Sequence, residues 1–398
     1  MKHLHRRNFF KLLAAGTAGI ALPNIVNANT NSSQSNDTKY KLIHRKLGNT
    51  GIEVPIVSMG VMRADNPNLV KAAYKAGITH FDTAYVYQNG KNEEMLGTVM
   101  KEYKRDSFIM ATKIYENMDE NGRFTSEVTT DSFLEKLETS LKRLQMEYVD
   151  ILYVHNIFNV ENVMDERILN ALRKAKEQGK IKFTGISTHY KEPEVIKATT
   201  ESKFYDVILS SYNFQQTHVA EVETALAAAA KAGLGIIGMK TMAGGFFDKE
   251  RTKPINATAA MKWALKNPNI HTVIPGFSTF EQLEENMAVM AKLKMSKKDK
   301  EALIIKDASG SLYCPGCDEC RKDCIKNLRI PDIMRAYMYA YGYKDLKISQ
   351  DLIYELGISS DPCKDCSECA VQCPKGFDVR SKISDIARLR EVPREFVA

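Results

Sequence analysis

This chain predicts an α/β fold, a (β/α)8 TIM barrel followed by a small, mostly helical module, and three observations carry that prediction. Between residues 41 and 296, eight short β-rich segments alternate with amphipathic segments of helical period. Eight such units over about 250 residues match a closed parallel barrel. No G-x-G-x-x-G follows the first strand, which argues against an open doubly wound sheet. The third observation is the cysteines, all eight of which lie between Cys314 and Cys373, beyond the barrel segment.

Taken in order, the segment 47–54 (LGNTGIEV) reads as a hairpin turn ahead of the barrel. The strands read as Ile56–Gly60, His80–Asp82, Phe108–Thr112, Val149–His155, Phe183–Ser187, Val207–Ser210, Leu234–Met239 and Thr272–Ile274. Among the helices, Ser132–Leu144 places Phe133, Leu137, Leu141 and Leu144 on one face. Val219–Ala232 is alanine-rich, and Glu281–Lys292 completes the barrel pattern. Beyond it, Pro331–Tyr341 and Asp351–Leu356 read as helices between two cysteine runs.

Length and composition bound the rest. The chain has 398 residues, 44% apolar and 26% charged, which fits a globular protein of two domains. Formal charge is +7, and Lys2, Arg6, Arg7 and Lys11 supply four of those charges. The remainder is too small and scattered to argue for nucleic acid.

The first 28 residues carry a basic start, an apolar stretch from Leu12 to Leu22 and a small residue at Ala28, the three parts of an export signal. Arg6-Arg7-Asn8-Phe9-Phe10-Lys11 resembles the twin-arginine signal. That route moves folded proteins, so residues 1–28 are expected to send the chain to the periplasm or the outer face of the cytoplasmic membrane. The apolar stretch is too short for a stable membrane span. Residues 29–40 read as a flexible linker, 41–296 as the barrel and 297–398 as the second domain.

The cysteines form two runs of one pattern, C-x2-C-x2-C-x3-C: Cys314, Cys317, Cys320, Cys324, and Cys363, Cys366, Cys369, Cys373. Such runs hold cubane iron–sulfur clusters, the fourth cysteine ligating the neighbouring cluster. Structural zinc prefers two separated knuckles, and disulfides give no reason for a doubled spacing. Two 4Fe–4S clusters are therefore expected. The tandem runs with intervening helices resemble the two-cluster ferredoxins. Ile325 stands where the second run has Pro374.

In a TIM barrel, chemistry sits at the C-terminal ends of the strands. Asp82 follows the second strand, Lys113 the third and His155 the fourth, with Tyr87 in a nearby loop. Together they form an acid–base constellation. Lys113 is expected to lower the phenol pKa, Asp82 to keep Lys113 charged, Tyr87 to donate a proton and His155 to orient a carbonyl oxygen.

The segments Phe81-Asp82-Thr83-Ala84-Tyr85-Val86-Tyr87, Ala111-Thr112-Lys113 and Tyr148–His155, with Ser140–Leu144 and Gly179–Ser187, resemble the motifs of the aldo-keto reductases over about residues 42–292. The resemblance implies a nicotinamide-dependent carbonyl reductase with Asp82, Tyr87, Lys113 and His155 as its catalytic set. It also places the adenine side of NADP or NAD at the segment after strand eight, on Gly276, Ser278, Gln282, Glu285 and Asn286, where helix N-terminal amides suit a phosphate. No Arg or Lys in that segment selects NADP over NAD. At the nicotinamide end the pattern departs: Ser187-Thr188 replaces Ser-Asn, Leu209 replaces Gln, and Met239-Lys240 replaces an aromatic residue. Three functions stay open. One is a carbonyl or sugar oxidoreductase whose clusters exchange electrons with a redox partner protein. The second is a conventional carbonyl reductase with structural clusters. The third is an electron-transfer or docking protein.

Overall fold

The computed structural model describes residues 42–305 and 310–397, which lie within one compact unit. The export-signal and linker segments fall outside the described residues. A short antiparallel hairpin, β1 (His44–Lys46) and β2 (Glu53–Pro55), opens the fold. Its turn is fixed by Gly48: at φ +54, a Cβ there would come within 2.4 Å of the Gly233 carbonyl.

Eight parallel strands follow: β3 (Met59–Gly60), β4 (His80–Asp82), β5 (Ile109–Ile114), β6 (Val149–Val154), β7 (Ile181–Thr188), β8 (Val207–Ser211), β9 (Gly235–Met239) and β10 (Thr272–Val273). Each hydrogen-bonds its sequence neighbour. Parallel bridges Val57↔Val273 and Gly60↔Gly276 join the two ends of the sheet and close it. Inside, Leu47 and Val54 of the hairpin pack with Ala111, Ile151, Leu209 and Ile237, so the barrel is a filled core whose lower end the hairpin stops.

The barrel helices are α1 (Pro67–Lys75), α2 (Lys91–Met100), α3 (Thr130–Leu144), α4 (Glu166–Glu177), α5 (Glu192–Ser202), α6 (Val219–Lys231), α7 (Ala257–Leu265) and α8 (Phe280–Ala291). In α3 the Thr129 hydroxyl and Ser132 exchange capping hydrogen bonds. The same helix buries the expected Phe133, Leu137, Leu141 and Leu144.

After a short α9 (Lys297–Glu301), the chain turns back over the barrel with α10 (Ile330–Tyr341), α11 (Leu346–Glu355) and α12 (Val379–Ala387). Their apolar faces share one core with Ala243, Ile255, Ala259 and Ala260 of the barrel segment. Among the described residues no helix is long and apolar enough to cross a membrane.

Candidate functional site

The four expected residues meet at the C-terminal mouth of the barrel. Asp82 ends β4, Lys113 lies near the end of β5, and His155 follows β6, its backbone N–H donating to Ile114 O at 2.9 Å. Lys113 Nζ donates to Asp82 Oδ1, to Thr83 O at 2.6 Å and to the Tyr87 hydroxyl at 3.4 Å. The Tyr87 and His155 rings stand edge to face with centroids 6.0 Å apart.

Tyr87 is aimed by a strained loop. Gln88 and Asn89 both adopt left-handed φ, and Gly90 follows as the cap of α2. Asn92 Nδ2 then clamps Val61 O at 2.8 Å and Ala64 O at 3.1 Å, and its oxygen accepts from Thr83 at 2.6 Å. Fully buried Glu93 accepts from Thr112 and from Arg143, whose guanidinium also holds Tyr85 O at 2.9 Å. The sequence reading passed over these three supports. Their signal was polar residues at helix positions that a barrel-facing helix buries.

Electrostatics correct one expectation. The Tyr87 phenol is held well above its ordinary pKa, through burial first and then the charge of Asp82; Arg335 is the cation that opposes the rise. Lys113 is committed to Asp82, so it does not make Tyr87 a free acid at neutral pH. Burial pushes the Asp82 carboxyl up and the Lys113 ammonium down, and their mutual attraction opposes both shifts. His155 is held well below its ordinary pKa by burial and by Lys113, Arg335 and Lys240, so its ring is neutral. Its Nδ1 is buried without a partner.

The C-terminal module roofs this mouth. Tyr339 of α10 accepts from Lys240 Nζ at 2.8 Å, Arg335 Nη1 donates to Asn156 Oδ1 at 3.1 Å, and Tyr190 donates to Asp332 at 3.1 Å. Gly316, at φ +74, lies so close to Tyr190 that a Cβ would approach the tyrosine Cβ to 2.3 Å. Lys375 threads inward to donate to Gln215 Oε1 and Tyr313 O, each at 2.8 Å. Arg335 and Tyr339 have no signal in the sequence, because no local period marks a segment that packs on a distant barrel mouth, and His189 directly after β7 carries only its position at a strand end.

The nicotinamide-end candidates are engaged within the chain. Ser187 Oγ accepts from Asn156 N at 2.9 Å, Thr188 Oγ1 donates to Tyr190 O at 2.8 Å, and Lys240 binds Tyr339. Each of the three thus has one of its hydrogen-bonding positions taken by the chain itself. The adenine-end loop fits better. Thr279 caps α8, Gln282 Oε1 accepts from Ser278 N at 2.8 Å, and buried Asn286 Nδ2 lacks a partner. Gly276, Gln282 and Glu285 are exposed there.

None of the eight cysteines is in a disulfide. They sort into two groups that cross the runs. Cys324 lines one cavity with Cys363, Cys366 and Cys369. Cys314, Cys317, Cys320 and Cys373 interact electrostatically, and burial pushes the Cys314 thiol up to about 12. Among the described residues no three His, Cys, Asp or Glu side chains close on a single metal ion. A cubane spaces its four thiolates more widely, and four cysteines drawn three from one run and one from the other is the donor set it takes.

Comparison with known proteins agrees with the barrel. The profile of the aldo/keto reductase family matches residues 58–259, half of the chain. The chain belongs to this family. L-Galactose dehydrogenase of Arabidopsis thaliana is 29% identical over 313 residues, spanning 67% of this chain and 93% of that relative. L-Glyceraldehyde 3-phosphate reductase of Escherichia coli K12 is 27% identical over 337 residues, 70% of this chain and 96% of that protein. Among solved structures, aldo-keto reductase AKR11C1 of Bacillus halodurans superposes with a TM-score of 0.55 at 20% identity, over 66% of this chain and 95% of that one. The chain is thus an aldo-keto reductase-type oxidoreductase by family.

Proposed function

We propose that this aldo-keto reductase interconverts a carbonyl and an alcohol on a sugar-like substrate, and that its cysteine module holds two 4Fe–4S clusters that exchange electrons with a partner protein. The observation that supports catalysis is the Lys113–Asp82–Tyr87–His155 convergence at one mouth. In this reading the neutral His155 ring donates one N–H to the substrate oxygen. Tyr87 transfers its proton to that oxygen as negative charge develops there, and Lys113, 3.4 Å away, stabilises the resulting phenolate; the hydride that the carbonyl carbon needs is what a nicotinamide would supply when bound. A high phenol pKa in the closed site suits this role: the proton stays on Tyr87 until the substrate oxygen becomes more basic than the phenolate.

The cluster assignment is supported by the crossed grouping of cysteines, with Cys314, Cys317, Cys320 and Cys373 for one cluster and Cys324, Cys363, Cys366 and Cys369 for the other. Bound clusters carry single electrons. NADP or NAD remains the cofactor that family membership favours, supported by the 276–286 loop and opposed by the engaged side chains at the ring end. Export by the twin-arginine route is proposed from residues 1–28, since cluster insertion would precede folded export.

The test uses anaerobically purified full chain. About eight irons with matching sulfide and a dithionite-reducible paramagnetic signal support the clusters; zinc, or no metal, removes them. Tyr87→Phe should abolish carbonyl turnover, and unchanged turnover would remove the enzymatic reading.

A further inference from the structure

Beside the acid–base set, between the strand ends and the roof, lies a cavity whose walls include His189, Ser211, Lys240, Tyr313 and Arg335, with the proposed cluster ligand Cys314 at one side. Counting space open to solvent, it measures about 340 Å³, so a ligand there would lie largely in the open part of the cleft. Its charge is one-sided. Lys240 follows β9 at φ +57, an unfavourable conformation for a lysine, and its Nζ has one hydrogen-bond partner, the neutral Tyr339 hydroxyl. Among the described residues no carboxylate forms an ion pair with it. Arg335 shares Asp332 with Arg329, so one carboxylate serves two guanidinium groups. Arg63, at the same rim, donates to the Tyr343 carbonyl and has no acidic partner among the described residues. Asp82 at the same mouth is taken by Lys113, and Asp332 by the two guanidinium groups. His189 Nδ1 is buried without a partner and faces this cavity.

A buried lysine without a carboxylate, beside a guanidinium that shares its one carboxylate and an imidazole nitrogen without a partner, is costly to keep around a cavity without an oxyanion to receive it. We propose that this cavity is an oxyanion subsite, built jointly by Lys240 of the barrel and Arg335 of the roof, that takes the carboxylate or phosphate of an acidic sugar-like substrate. The inference rests on the carbonyl–alcohol reading of the adjacent Tyr87 and His155 for the substrate's other end. Selection would come from the roof as much as from the barrel: a substrate acid would bridge the two, with its carbonyl toward Tyr87. Ser211, buried at the end of β8, lies within the same wall.

The experiment is equilibrium binding to the full, anaerobically purified chain by calorimetry. D-Gluconate is compared with the neutral polyol D-glucitol, and glycerol 3-phosphate with glycerol, so that the two arms separate carboxylate from phosphate. At least one acid should bind roughly ten-fold or more tightly than its neutral match, as charge-assisted hydrogen bonds to buried cations require. Lys240→Met should erase that preference and Lys240→Arg should keep most of it. Equal binding of acid and polyol in both arms, no binding by either acid, or a preference that survives Lys240→Met would overturn the proposal. The comparison on the unaltered chain stands even where a variant fails to fold. Tyr87→Phe separates the two readings. It should remove turnover and leave the acid preference intact, so turnover that persists would sink the reductase reading without touching the subsite.

Discussion

Replacing Lys113 by Met tests whether the buried Lys113–Asp82 pair holds the mouth together. Lys113 is 1% exposed and Asp82 2%. Asp82 Oδ2 already lacks a partner, so losing the ammonium strands both carboxylate oxygens. Removing one partner of a buried pair leaves an uncompensated charge and costs about 3–5 kcal/mol. Met keeps the apolar stem and offsets little of this, so a loss of about 3–4 kcal/mol is expected, a large share of a total near 5–15 kcal/mol. The unpaired Asp82 carboxyl would then sit further above its unfolded value. A group with a raised folded pKa stabilises below its unfolded pKa, and that contribution disappears as pH rises. The deficit of Lys113→Met should therefore be larger at pH 8 than at pH 5. Urea titrations of the single variants and of Asp82→Asn/Lys113→Met close a double-mutant cycle. The double variant should be more stable than the sum of the singles by about 1–3 kcal/mol. Additivity, or a Lys113→Met cost below about 1 kcal/mol, would refute the view that the pair is a buried, mutually dependent unit.

Other outcomes follow from the same structure. Under the proposed cluster assignment, Cys324→Ser should perturb the cluster of the second run and Cys373→Ser that of the first, read as loss of distinct paramagnetic signals; loss within the same run would refute the crossed grouping. Gly316→Ala, at φ +74 and against Tyr190, should loosen the roof and speed proteolytic cleavage near residue 316, with a stability loss above about 1 kcal/mol. Thr129→Ala should cost about 1 kcal/mol through the lost cap of α3, measured by thermal melting. Burial opposes the charged form of His218, but the buried Glu192 carboxylate, 2.9 Å away, outweighs it and raises the imidazole pKa. That stability is present below the ordinary histidine value and fades as pH rises through the folded one, so His218→Gln should flatten the loss of stability as pH rises above the ordinary histidine value.

Strands were legible where a short apolar stretch ended on a polar residue at the barrel mouth. β4 coincides with the expected His80–Asp82, and β6 with Val149–His155 but for its last residue. β3 shrinks to Met59–Gly60 because it forms the barrel seam, where Val57 pairs through an isolated bridge. Helix α11 starts at Leu346, not Asp351, since Asp345 caps it by accepting from Ile348 N at 3.0 Å. The catalytic set was legible because its spacing along the chain maps onto adjacent strand ends. The direction of the Tyr87 shift was not, because enclosure by Tyr339 and Arg335 comes from residues about 250 positions later. The roof itself leaves no local trace: contacts such as Arg335 to Asn156 span 179 residues.

The apolar surface shared by Ala243, Ile255, Ala259 and Ala260 with α10 and its neighbours has a bearing on how the protein is made. Chain ending near residue 296 would leave those residues wet, and the cysteine runs would have no wall to fold against. The roof-facing side of the barrel and the cysteine module therefore reach their resting shape only once nearly the whole polypeptide has emerged. Maturation becomes a single late event, and a protease that tests for completeness needs to probe only one seam.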